Sequence, residues 1–120
     1  MVRIEAIYDG KLRCTATHIP SGQKLATDAP VDNMGKGESF SPTDLLATSM
    51  LNCMITIIAI AADSRELDVS GMSGSVEKHM TSGPRKVSKL EVEISLPTEL
   101  HSDDRAWLIK RGLACPVHKS

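Results

Sequence analysis

The alternation of apolar and polar residues predicts strands in the first third of the chain. Over residues 12–18 the two types alternate with a period of two, which is typical of a β-strand with one solvent-facing side. The dipeptide Asp9-Gly10 before this stretch favours a tight turn. We therefore expect a β-hairpin formed by residues 3–8 and 12–18, followed by a short extended segment over residues 23–27.

The middle of the chain predicts one long helix. Residues 45–62 are apolar almost all the way round a helical projection, which is typical of a helix that is packed on most sides. Ser41 suits the N-cap, Pro42 the first helical position, and the carboxylate of Asp44 can return to the backbone of the cap. Hydroxyl and amide side chains within the segment favour a buried central helix over a membrane span.

The last third returns to a period of two and then predicts a second helix. Residues 90–96 alternate strictly, and residues 69–80 form a weaker strand interrupted by glycine. A turn at residues 82–84 joins them as a second hairpin. Ser102 is the expected cap of a final helix that ends near residues 112–115.

Composition and charge narrow the class of protein. The chain has 120 residues and a net charge of −1, so we expect one α+β domain over residues 1–120 with neither a nucleic-acid nor a membrane partner. An aromatic content of 2% argues against base stacking. Three widely spaced cysteines do not make a secreted disulfide scaffold, and acidic residues interrupt the N-terminus where a signal peptide is apolar, so we expect a cytoplasmic protein.

Two of the cysteines are candidates for chemistry. Cys53 lies in the middle of the predicted central helix, where a small buried hydrophobic residue is the plain alternative. Cys115 lies at the end of the last helix with His118 and Lys119 just downstream, and nearby cations favour a thiolate. The alternative for Cys115 is a residue that only ends the helix. Cys14 alternates with inward-facing strand residues and is expected in the core.

Other catalytic and metal-binding classes are poorly supported by the sequence. A zinc site built from Cys53, Cys115 and His118 would lack a fourth ligand and the close cysteine pairs of structural zinc sites. Neither a G-x-S-x-G motif nor a phosphate-binding glycine loop is present. We therefore expect no metal and no bound cofactor.

Three segments resemble the OsmC/Ohr superfamily, the osmotically inducible protein C and organic hydroperoxide resistance proteins. They are residues 40–46, residues 51–54 within the apolar helix, and residues 114–120. The resemblance covers nearly the whole chain and implies an intertwined homodimer of α+β subunits with antiparallel sheets around a long central helix. Members usually continue past the position of Ser120 into a final strand. We expect that either the strand is missing from this chain or its branch of the family does without one.

The resemblance also implies a function. Carried over to this chain, Cys53 is the peroxidatic cysteine and Cys115 the resolving one. An organic hydroperoxide oxidises Cys53 to a sulfenic acid, Cys115 converts it to a disulfide, and a dithiol or lipoyl-type reductant restores both thiols. An apolar pocket around Cys53 would favour organic peroxides over hydrogen peroxide.

The charged groups beside the peroxidatic cysteine differ from those of the better understood members. Where those members have a Glu on the first turn of the central helix, this chain has Thr43, and where they have an Arg before the first hairpin turn it has Tyr8. Arg13 is the nearest substitute and the predicted thiolate partner. Two alternatives follow: a non-catalytic protein that binds a small apolar or thiol ligand or senses oxidants, and a protein whose cysteines only fill the core.

Overall fold

The computed structural model describes residues Met1–Ser120, which form two compact units, Met1–Leu45 and Leu46–Ser120. The elements in chain order are β1 (Ile4–Gly10), β2 (Arg13–His18), β3 (Lys24–Asp28), a 3₁₀ turn (Val31–Asn33), α1 (Pro42–Ser64), β4 (Ser73–Thr81), β5 (Lys86–Ser95), α2 (Ser102–Gly112) and α3 (Pro116–Lys119). Two antiparallel sheets and one long helix confirm the predicted α+β class.

The first unit contains an antiparallel sheet in the order β1-β2-β3. Its first hairpin turn lies later than predicted: β1 continues to Gly10, which pairs with Arg13, and a register shift lies between Tyr8 and Gly10. Lys11 and Leu12 have φ values of 56° and 64°, as the central residues of a type I′ turn require. The bulge moves the turn two residues on, so the prediction of an Asp9-Gly10 turn was wrong.

The start of α1 confirms the predicted cap. Asp44 N–H donates to Ser41 Oγ at 3.0 Å, and Ser41 N–H donates to Asp44 Oδ2 at 2.9 Å. This reciprocal pair satisfies two backbone donors that the first helical turn leaves unpaired. The helix is long and apolar enough to cross a membrane by length and composition alone, with a mean hydropathy of 2.1, but the core helix of a soluble protein has the same properties.

The second sheet is the predicted hairpin of β4 and β5, in which Val76 faces Val92. The weaker strand begins only at Ser73, four residues later than expected. Its predicted first residues turn instead, because Ser70 N–H donates to the side chain of Asp68 at 2.8 Å and Gly71 has a φ of 84°.

The core of the second unit is small and lies between α1 and its neighbours. Its fully or nearly buried apolar residues are Ile58, Ala61, Ala62 and Leu108. Two glycines allow close packing on α1: a Cβ at Gly74 would lie 2.9 Å from Leu51 Cδ1, and one at Gly112 would lie 3.0 Å from Ile58 Cδ1. A side chain at Gly74 would therefore require the partner strand or Leu51 to shift, and one at Gly112 would require a small adjustment of Ile58.

The C-terminal helices differ in detail from the prediction. The N-cap of α2 is His101, not Ser102, and no side chain caps this helix. Acidic residues in its first turn and basic residues in its last turn follow the order that the helix dipole favours. After α2 the chain forms the four-residue helix α3, which was not predicted, with Pro116 at its first position and Cys115 as its N-cap.

Candidate functional site

Cys53 lies half-buried in the middle of α1 with a free thiol. Ser49 and Thr56, at i−4 and i+3 from Cys53 on the same helix, both direct their hydroxyls to backbone carbonyls. Ser49 Oγ donates to the Leu46 carbonyl at 2.6 Å, and Thr56 Oγ1 donates to the Asn52 carbonyl at 2.7 Å. Since both hydroxyls bond to their own helix, the surroundings of Cys53 on α1 are apolar rather than hydrogen-bonding.

Cys115 is fully buried and its thiol is also free. As the N-cap of α3, its Sγ accepts the backbone N–H of His118 at 3.2 Å. We expected the side chain of His118 to act on this thiol, but the backbone N–H of His118 contacts the sulfur instead. The side chains of His118 and Lys119 are exposed. The bond fixes the direction of the sulfur at the end of α2 and the start of α3.

The segments that carry the two cysteines contact each other within the second unit. A Cβ on Gly112 would lie 3.0 Å from the side chain of Ile58 and 3.7 Å from the carbonyl oxygen of Met54. Met54 follows Cys53 directly, and Cys115 N–H donates to the Gly112 carbonyl at 3.3 Å. The chain that leads into Cys115 thus packs against the α1 turn that follows Cys53.

Arg13 lies at the start of β2 in the first unit, where two carboxylates hold its guanidinium. Its Nε lies 3.7 Å from Asp28 Oδ1, and its Nη2 is bonded to Glu38 Oε1. Asp28 is almost completely buried and also accepts the backbone N–H of Glu38 at 3.0 Å. These three side chains border a cleft of about 280 Å³ whose other lining residues are Ala26, Thr27 and Ser39.

Sequence reasoning missed the two carboxylates that pair with Arg13. Asp28 ends β3, and Glu38 lies in the following loop, which has no hydrophobic periodicity. The one available signal was their charge, which is opposite to that of Arg13. Arg13 is therefore already engaged, and any interaction with a thiolate competes with Asp28 and Glu38.

Neither residue at the family's charge positions supplies a charge. Thr43 Oγ1 lies 3.1 Å from Ser41 Oγ within the α1 cap. The neighbouring Asp44 carboxylate is occupied by the Ser41 N–H. Tyr8 accepts the Leu12 N–H through its hydroxyl at 3.3 Å, so it supports the hairpin turn.

Metal-ligand atoms converge on the second sheet rather than at the cysteines. Ligand atoms of Glu77, His79 and Glu91 all lie within 4.8 Å of one another. His79 Nε2 is 2.9 Å from Glu91 Oε1, and Lys89 Nζ is also 2.9 Å from that oxygen. The Lys89 ammonium is the main reason that the pKa of Glu91 is lowered. The Lys89 ammonium already offsets this exposed carboxylate, and we assign no metal to it.

Comparison with known proteins gives the family. A family model described as OsmC-like protein matches residues 35–120. The chain belongs to the OsmC/Ohr superfamily. Among curated proteins, none is similar enough to match. The family resemblance that we predicted from residues 40–46, 51–54 and 114–120 is confirmed.

Solved OsmC structures agree with the fold. A protein of Psychrobacter arcticus 273-4, provisionally described as an osmotic stress induced and detoxification response protein, is 45% identical with a TM-score of 0.93, covering 99% of this chain and 87% of that one. The organic hydroperoxide resistance protein OsmC of Legionella pneumophila is 20% identical with a TM-score of 0.74 over 99% and 87% of the two chains. An OsmC-like protein of Mycoplasma pneumoniae is 14% identical with a TM-score of 0.82 over 99% and 85%. The last two likenesses concern the fold alone.

Proposed function

We propose that this OsmC-family protein is a thiol-dependent peroxidase that reduces organic hydroperoxides in oxidative stress defence. The observation that carries the proposal is the contact, within one unit, between the segments bearing two free thiols, Cys53 and Cys115. The description of the 45% identical Psychrobacter protein as a detoxification response protein fits the removal of a reactive substrate.

The different burial of the two thiols fits their proposed roles. Cys53 is partly exposed and can meet a peroxide, whereas Cys115 is fully buried and shielded from direct oxidation. A disulfide needs Cα atoms about 4.4 to 6.8 Å apart. The Cys115 sulfur is held by one hydrogen bond, from the His118 N–H at the start of a four-residue helix, so little restrains the movement that a disulfide would need.

The proposed cycle uses thiols as its source of electrons. The Cys53 thiolate attacks the distal peroxide oxygen, the O–O bond breaks, and the leaving alkoxide takes a proton to become an alcohol. The Cys115 thiolate then attacks the sulfenic sulfur, the S–S bond forms, and hydroxide leaves and is protonated to water. A dithiol or lipoyl-type reductant reduces this disulfide by exchange and becomes a disulfide itself.

Arg13 is the proposed partner of the Cys53 thiolate, although Asp28 and Glu38 already offset its charge. A nearby guanidinium favours the anionic form of a thiol, which is the form that reacts. Arg13→Met should therefore slow the reaction of Cys53 with cumene hydroperoxide at a fixed pH. An unchanged rate would remove Arg13 from the mechanism and leave the cysteine pair untouched.

The proposal also includes a homodimer in the cytoplasm. β1 is an edge strand with exposed Ile4, Ile7 and Tyr8, each more than 60% accessible. A strand with a free edge and such apolar side chains is suited to pairing with a second copy. Three free thiols, an odd number, fit a reducing compartment. Sedimentation velocity tests the dimer directly.

Steady-state turnover tests the proposal. With cumene hydroperoxide and a lipoyl-type reductant, Cys53→Ser should abolish consumption of the peroxide. Cys115→Ser should stop turnover but still allow one oxidation of Cys53. Cys14→Ser is the matched control, because Cys14 lies in β2 of the other unit, and it should keep the wild-type rate.

A non-catalytic protein of the same fold that binds a small ligand or senses oxidants is the second candidate function. The observation that favours it is the pairing of Arg13 with two carboxylates, which leaves the thiolate without a dedicated cation. Equal peroxide consumption by the wild type and Cys53→Ser would exclude the peroxidase and leave this second candidate.

A further inference from the structure

The cleft at Arg13 has an excess of negative charge. Its lining includes one cation, Arg13, and two carboxylates, Asp28 and Glu38, and its other lining residues are uncharged. Like charges at short range repel each other even in water. An anionic ligand that enters this cleft therefore meets a cation whose charge is already more than offset.

The two carboxylates differ in burial, and this difference locates the excess charge. The Asp28 side chain is 3% exposed, whereas that of Glu38 is 57% exposed. Asp28 is thus sheltered from water beside the Arg13 guanidinium, where salt screens their attraction little. Asp28 offsets the charge of Arg13, so the excess negative charge belongs to Glu38 at the exposed edge of the cleft.

The backbone fixes Glu38 at this edge. The Glu38 N–H donates to Asp28 Oδ2 at 3.0 Å, and the N–H of the preceding Gly37 donates to the Ala29 carbonyl at 3.2 Å. Gly37 has a φ of 61°, which glycine adopts without strain. All these contacts lie within the first unit, so they do not depend on a second copy of the chain. Glu38 is therefore a built part of the cleft.

The Arg13 guanidinium has little left to offer a substrate carboxylate. An unengaged arginine binds a carboxylate through two parallel N–H groups. In Arg13, Nε faces Asp28 and Nη2 is bonded to Glu38. A substrate carboxylate would have to displace Glu38 or add a third negative charge to the cleft.

We infer that Glu38 is a specificity-determining residue, which makes the site select neutral organic hydroperoxides and reject those with an anionic group near the peroxide. The inference rests on the proposed function, in which Arg13 is the partner of the reacting Cys53 thiolate. A peroxide that reacts beside Arg13 also lies close to Glu38, because the two side chains are bonded to each other.

Two derivatives of cumene hydroperoxide isolate the effect of charge. The para-carboxylate is anionic, and the para-carboxamide has nearly the same size but is neutral. At neutral pH and low salt, the wild type should consume the carboxamide at least about threefold faster, the factor expected for one unit charge about 6 Å away in water. The ratio of the two rates should fall towards one at high salt, because screening weakens the repulsion.

Glu38→Gln should bring this ratio close to one even at low salt, because the amide keeps the size of the side chain and removes the excess charge. Glu5→Gln is the matched control. Glu5 is also an exposed carboxylate of the first unit, and it lies 2.7 Å from Arg3 Nε, but it does not line the cleft. This variant should keep the wild-type ratio.

The outcomes separate this inference from the proposed function. Equal rates with the two derivatives in the wild type, or the same change of ratio in the Glu38 and Glu5 variants, would overturn the inference and leave the peroxidase intact. A wild type that consumes neither derivative nor cumene hydroperoxide would overturn both.

Discussion

The interiors of the two units are stabilised by different interactions. The first unit places a buried carboxylate, Asp28, between the Arg13 guanidinium and the Glu38 backbone. The second unit packs apolar side chains around Ile58 and Leu108, both fully buried. An ion pair with a buried member is therefore central to the first unit, and apolar packing to the second. We therefore expect substitutions in the first unit to change the free energy of unfolding in a salt-dependent way. Substitutions in the second unit should change it according to the volume that they remove from the core.

Leu108→Ala should have the largest effect on stability. The substitution removes a fully buried side chain and leaves a cavity beside Ile58 and the close-packed Gly112. Such substitutions cost about 2 to 5 kcal/mol of the free energy of unfolding, which urea denaturation measures. Ile109→Ala on the same helix, where the side chain is 41% exposed, is the control. Equal losses in the two variants would show that this core does not hold the second unit.

Asp28→Asn should have an intermediate effect. The amide keeps the size of the side chain and one acceptor for the Glu38 N–H but loses the charge that faces Arg13. We expect a loss of about 1.5 to 3 kcal/mol, the range for a hydrogen bond to a charged group. The loss should shrink at high salt, because screening weakens the wild-type pair.

Glu99→Gln provides the matched control for Asp28→Asn. Glu99 is an exposed carboxylate in a loop, and its neutralisation should change stability by less than about 0.5 kcal/mol. A loss in Asp28→Asn that is as small, or that does not depend on salt, would contradict the role given to charge in the first unit.

Ser41→Ala should have the smallest effect of the three. It removes the oxygen that accepts the Asp44 N–H at 3.0 Å, and a lost N-cap costs about 1 kcal/mol. Ser102→Ala is its control, since Ser102 begins α2 without capping it, and it should be nearly neutral. Equal changes in Tm for the two variants would show that the reciprocal cap does not stabilise α1.

The elements that sequence predicted well have local causes. The start of α1 depends on Ser41, Pro42 and Asp44, which lie within four positions, so the pattern alone located it. The second hairpin was also found, because the alternation in β5 is strict. Both signals depend on neighbours in sequence rather than on the tertiary fold.

The elements that sequence predicted poorly depend on pairing or on length. The first hairpin turn moved to Lys11-Leu12 because a bulge in β1 is set by its partner strand. The helix α3 has four residues, which is too short for any periodic pattern. The partners of Arg13 stand 15 and 25 positions away, at Asp28 and Glu38, and no local rule connects residues at that separation.

Sequence likewise predicted the parts of the candidate site that local segments identify, and not those that depend on tertiary contacts. Cys53 and Cys115 were chosen because their flanking segments resemble a family, and the family is confirmed. Their roles stay predictions. Between α1 and α2 lies a groove whose lining includes Ile57, Trp107 and Arg111; it was not predicted, since it exists only when the two helices lie side by side.

The central claim is that oxidation of one sulfur is relieved by the other, and disulfide mapping tests it most directly. Reduced protein is treated with an equimolar amount of cumene hydroperoxide, its remaining thiols are alkylated, and its peptides are analysed by mass spectrometry. We predict a disulfide between Cys53 and Cys115, with Cys14 alkylated. A Cys53 that accumulates as sulfinic acid while Cys115 stays a free thiol would contradict the account.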